Sequence, residues 1–236
     1  MSRTAAEMFP ELAVSVATAH ELNPAIGVAG HDFDHDLRVA EMAVLIAPDA
    51  TIARFAAVAG FCHSADRFVQ RFRGVGRGEV ADEEVADVMH GFCSTTPSWR
   101  LRGGVLGIAL RAVLLHCRPN DEDDDLVVMT LKDADRIVNC DPDVIVRSSR
   151  HHPEYPAVDY VHGLHDPAAT YKEPRSILRD ISHCLEWAED GPFGVRLPKA
   201  KTEIAWRAQL LQAWIAGVER SRILVSHYYN KEARAF

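Results

Sequence analysis

Apolar residues recur at helical spacing through almost the whole chain, and alternating strand patterns are scarce. This restricts the chain to an all-α fold. Met8, Leu12 and Val16 predict a helix over 4–20. Leu37, Ala40, Val44 and Leu45 predict one over 35–47, ended by Pro48. Ile52, Phe55, Ala56 and Ala59 predict a helix over 50–70 that runs through His63. Further helices are expected over 82–93 (Val85, Val88, Met89), over 105–116 after Gly103-Gly104, and over 126–140 (Val127, Val128, Leu131, Ala134, Ile137). Two more are expected over 175–190 and 199–225.

The breaks are equally readable. Arg73-Gly74-Val75-Gly76-Arg77-Gly78 predicts a loop. It has neither the Lys-Ser/Thr nor the preceding strand of a phosphate-binding loop. Asn120-Asp121-Glu122-Asp123-Asp124-Asp125 lacks the glycine and the ligand spacing of a calcium loop, which leaves a solvated turn. Residues 148–174 are rich in Pro, His, Asp and Tyr, and predict a long ordered loop near a site. No repeat or linker divides the chain. One domain over 1–236 is expected, with a motif-bearing core at about 30–140 and the loop and C-terminal helices in 141–236.

Bulk properties narrow the function classes. The net charge of −8 over 236 residues argues against general nucleic-acid binding. The cysteines are Cys62, Cys93, Cys117, Cys140 and Cys184; with an odd number and no C-x-x-C pair, they predict reduced thiols in a cytoplasmic protein. No N-terminal h-region is seen, and no apolar run is long enough for a bilayer, so a membrane is not an expected partner. No Gly-x-Ser-x-Gly elbow is present.

The chemistry concentrates in three segments. His31-Asp32-Phe33-Asp34-His35-Asp36 brings two imidazoles and three carboxylates to the mouth of an apolar helix. Cys62-His63-Ser64-Ala65-Asp66-Arg67 and Leu131-Lys132-Asp133-Ala134-Asp135-Arg136 carry further His and Asp. Helices hold such ligands rigidly, and imidazole with carboxylate suits a divalent ion.

His35-Asp36-Leu37-Arg38-Val39 and Leu131-Lys132-Asp133-Ala134-Asp135-Arg136-Ile137 resemble the "HxxRV" and "DADRL" elements of the HD-domain metal-dependent phosphohydrolases. His116 resembles a histidine often found before the second of these. Leu197-Pro198-Lys199-Ala200-Lys201-Thr202 resembles the start of their terminal helix. The similarity covers most of 30–215. The chain departs from the family where His63 is followed by Ser64 instead of Asp.

The resemblance implies a single-domain HD-like helical bundle. It implies one divalent ion (Mn, Fe, Co, Ni, Zn or Mg) on His35, His63 and Asp135, with a dinuclear centre disfavoured by Ser64. His31 would be an outer or helix-entry residue, and His90 an optional extra ligand. Asp66 or Asp133 would orient a water or accept its proton, and His116 would stabilise phosphate charge. Candidates to bind a small phosphorylated substrate, such as a nucleotide, are Arg38, Lys132, Arg136, Arg147, Arg150 and His151, with His152 beside them. For Arg38 and Arg136, ion pairs within the fold are the competing expectation. Two alternatives stay open: a catalytically weak HD fold that binds nucleotides or a partner, and an HD-type non-haem iron oxygenase. Oligomeric state is not readable.

Overall fold

A computed structural model of the chain describes residues 3–27, 32–170 and 173–232. Among the described residues there are helices, turns and loops but no strand, so the protein is all-α.

The N-terminal segment forms α1 (Ala5–Met8), α2 (Pro10–Leu22) and α3 (Pro24–Gly27). The single helix expected over 4–20 is therefore split at Phe9, because Pro10 starts a new helix at a position that needs no N–H. Next come α4 (Phe33–Ile46), α5 (Ala50–Cys62) and α6 (Ala65–Arg73). Asp32 caps α4 by accepting from the His35 N–H, and Asp49 caps α5. The continuous helix expected over 50–70 is instead broken at His63-Ser64, between α5 and α6.

The series continues with α7 (Asp82–Cys93), α8 (Val105–Leu115), α9 (Leu126–Asn139) and α10 (Val144–His151). It closes with α11 (Ile177–His183), a short 3-10 turn over Cys184–Ala188, and the long α12 (Pro198–Glu232). The expected loop over 148–174 is helical up to His151. Its irregular part is pinned where Pro156 and Ala157 carbonyls accept from the Ile177 and Leu178 N–H groups.

The acidic run is not simply a solvated turn. Asp125 caps α9 by accepting from the Val127 and Val128 N–H groups. The Asp124 side chain is only 3% exposed and pairs with Lys132 and Arg196.

Helices α4, α5, α8 and α9 pack on one another at the centre. Val39, Ala43, Ala56, Ala59, Phe61, Ala112, Leu131, Ala134 and Ile137 are buried between them, in a core that continues to α2 and α12. Small residues let α4 and α5 approach closely. A Cβ on Gly60 would lie 2.5 Å from Ala40 Cα, so only glycine fits there. This close crossing brings the start of α4 beside the end of α5.

Candidate metal centre

Three helices deliver the three expected ligands to one point. His35 lies in the first turn of α4, His63 at the end of α5, and Asp135 within α9. One ligand atom from each lies within 4.8 Å of the others. His35 Nε2 is 3.3 Å and His63 Nε2 is 3.9 Å from Asp135 Oδ1. The two imidazole centroids are 5.0 Å apart. His35 and His63 are buried, while the Asp135 side chain keeps 19% exposure and marks the open side.

The protonation states suit a cation. His63 Nδ1 lies 2.7 Å from the Gly60 carbonyl and therefore donates to it, which leaves the Nε2 lone pair facing the cluster. That Nε2 is buried and has no hydrogen-bond partner among the described residues, a polar atom awaiting a ligand. Burial pushes the His63 imidazole below its ordinary range, favouring the neutral form. Burial alone would raise the Asp135 carboxyl. The His35 hydrogen bond and the His63 and His116 charges outweigh it and hold the group well below the carboxylate range. Two imidazoles and an ionised carboxylate can hold a metal ion.

His116 stands edge-on to His63, with ring centroids 5.7 Å apart. Its Nδ1 donates to Val113 O at 2.6 Å, and its Nε2 is 3.0 Å from Cys117 Sγ. Burial opposes its protonation, but the Cys117 and Asp135 charges prevail and raise it to about 9.

Ser64 has a partner that the sequence did not suggest. Its hydroxyl donates to Asp36 Oδ1 at 2.6 Å, and His20 Nε2 is 2.8 Å from Asp36 Oδ2. Asp36 is fully buried, and its Oδ1 lies 3.4 Å from His63 Nδ1. Asp36 and His20 thus belong to the support of the site. The signal for His20 was present: it extends the buried stripe Leu12, Val16 by one more turn.

Other expected residues are committed elsewhere. Asp133 accepts from the Arg196 and Leu197 N–H groups, both at 2.8 Å, and so tethers the entry to α12 instead of a water at the metal. Two residues from Asp135 on one helix, it faces away. Asp66 accepts from Gln70 Nε2 at 3.1 Å and is not part of the ligand group.

Lys132 is buried, with Nζ on Pro119 O and Asp124 at 2.8 and 2.7 Å, and is committed to the core. Arg136 is also buried and donates to Asn120 Oδ1 and Gly194 O. Arg38 pairs with Asp34, Asp141 and Asp143 at 3.0, 3.2 and 2.9 Å. For all three, the roles in the fold replace the expected substrate contacts. Arg147 lies against the centre, with Nη1 3.5 Å from His35 Nδ1. Arg150 and His151 lie exposed at the end of α10, where His151 stacks edge-on with His152 at 4.4 Å. His90 bonds to Ala86 O on α7 and is not part of the ligand group. His31 lies outside the described residues.

A second group, Asp159, His162 and Asp166, also falls within 4.8 Å. It sits on the surface, and His162 Nδ1 is bonded to Asp159 at 2.8 Å. None of the five cysteines, all among the described residues, is in a disulfide. No helix among the described residues is long and apolar enough to cross a membrane. A scan against protein-family models, a search of curated proteins and a search of solved structures each return no match.

Proposed function

We propose that this chain is an HD-type metal-dependent phosphohydrolase acting on a nucleotide or another small phosphate ester. The observation that carries the reading is the convergence of His35, His63 and Asp135, with the His63 Nε2 lone pair buried and directed at the other two. The ordered resemblance of the same residues to the HD elements supports it.

A divalent ion bound there supplies Lewis acidity, which polarises a phosphoryl oxygen and lowers the pKa of water. The chain's own residues do the rest. His35, His63 and Asp135 hold the ion from three rigid helices. The Gly60 carbonyl and the Asp36 carboxylate orient His63 from behind. His116, raised chiefly by the Cys117 charge it pairs with, stands edge-on to His63 and is the candidate to meet a developing phosphate anion. Arg150 and His151, exposed at the end of α10, are the remaining candidates to meet the substrate.

The test is a phosphate-release screen over nucleotides and small phosphate esters. The protein is loaded in turn with Mn, Co, Ni, Fe, Zn and Mg. Release that disappears in Asp135→Asn supports the reading; no release with any ion and any ester contradicts it.

A second reading, an iron oxygenase, draws on one feature: two imidazoles and one carboxylate also form the facial triad of non-haem iron. Oxygen uptake by the iron-loaded protein, without phosphate release, would favour it. A protein that binds nucleotides but turns over nothing would instead be a binding module.

A further inference from the structure

We propose that Arg147 is the positioning residue of the metal centre, acting on Asp135 through Asn139. The inference rests on the metal-site reading above and assigns the support of that same site.

The contacts form one continuous strut. Asn139 sits one turn after Asp135 on α9, and its Nδ2 donates to Asp135 Oδ1 at 2.8 Å. The Asn139 Oδ1 in turn accepts from Arg147 Nη1 at 3.1 Å. The same Nη1 is 3.5 Å from His35 Nδ1. Arg147 Nη2 donates to Val138 O at 3.0 Å, and Nε lies 3.3 Å from Asp143 Oδ2. Every guanidinium nitrogen therefore faces the protein. This arrangement serves positioning, not substrate capture.

The turn that aims Arg147 is itself clamped. Arg38 from α4 and Arg207 from α12 both bind Asp141, and Arg38 also binds Asp143. A planar fork with fixed donors transmits that placement through Asn139 to Asp135. Without it, Asn139 and the Asp135 carboxylate lose a contact that limits their rotation. The ion would then have to order the carboxylate on binding.

The experiment measures Co(II) affinity by chelator competition on the full chain, together with the visible Co(II) absorption and the melting temperature. Arg147→Met is expected to weaken Co(II) by about 10- to 100-fold and to alter the absorption band, as loss of an outer support does elsewhere. Arg147→Lys, which keeps the charge but not the fork, is expected to stay weak. Asn139→Ala is expected to weaken binding in the same direction and carries the test if Arg147→Met does not fold. Lys132→Met, which removes a buried ion pair to Asp124 outside the strut, is expected to lower the melting temperature and leave Co(II) affinity unchanged. Wild-type affinity and spectrum in both Arg147→Met and Asn139→Ala would overturn the positioning role while the metal site stands. A wild-type chain that takes up no Co(II) would overturn the metal site, and the strut's role with it.

Discussion

Ser64 donates its hydroxyl to the buried carboxylate of Asp36 at 2.6 Å. Where the HD pattern has an aspartate, this chain has a donor that satisfies a neighbouring carboxylate. A second carboxylate at position 64 would face Asp36 in a buried site. Ser64→Ala is expected to cost about 1.5–3 kcal/mol, the range for a hydrogen bond to a charged group. Ser64→Asp is expected to cost more, and to cost more at pH 8 than at pH 5. One carboxyl of the pair must bind a proton in the folded state that it loses on unfolding, so stability falls as pH rises. Urea titrations at the two pH values check the sign.

Gly60 allows α4 and α5 to meet, because an added Cβ would lie 2.5 Å from Ala40 Cα. Gly60→Ala is expected to destabilise by about 1–3 kcal/mol through overpacking. It is also expected to weaken metal binding, since His35 and His63 sit on the two helices it separates. Thermal melting and metal titration on one sample measure both.

Lys132 is buried against Asp124, which Arg196 also binds. Lys132→Met is expected to lower stability by about 1–3 kcal/mol, because Asp124 keeps one partner and loses the other. Metal affinity, and the KM of any phosphate ester found, should stay unchanged. A raised KM at intact stability would restore Lys132 as a substrate contact.

Burial lowers the His63 pKa, so its proton binds more readily to the unfolded chain. Stability is therefore expected to decline as pH falls below the ordinary imidazole value of about 6.5. The depressed Asp135 carboxyl contributes stability above the ordinary carboxylate value of about 4, which is lost as pH falls through its folded value. His63→Gln should flatten the first decline and also shrink the second, since the His63 charge helps to depress Asp135, as read by denaturant midpoints from pH 7.5 to pH 3.

Local patterns account for much of what was legible in the chain. Helices α7 and α9 lie within a residue of the expected 82–93 and 126–140, because their apolar period and their ends are both written in nearby residues. The candidate set His35, His63 and Asp135 was singled out by its resemblance to the HD elements, with each residue lying in an apolar helical segment. The partners of that set were not. Ser64 and Asp36 are 28 residues apart, and Arg147 reaches Asn139 only because the chain turns between α9 and α10. The fold-internal partners of Lys132 and Arg136 were not legible for a similar reason. Their acceptors, Asp124, Pro119, Asn120 and Gly194, are brought in by tertiary packing. The break at His63 also escaped the periodicity, since apolar spacing continues across it into Phe68 and Val69.

The most direct test of the metal centre is elemental analysis of the purified wild-type chain beside His35→Ala and Asp135→Asn, each checked for its helical content. The arrangement predicts one divalent ion per wild-type chain and little or none in either variant. A folded wild-type chain that holds no ion and takes none up, or variants that retain the wild-type content, would contradict it.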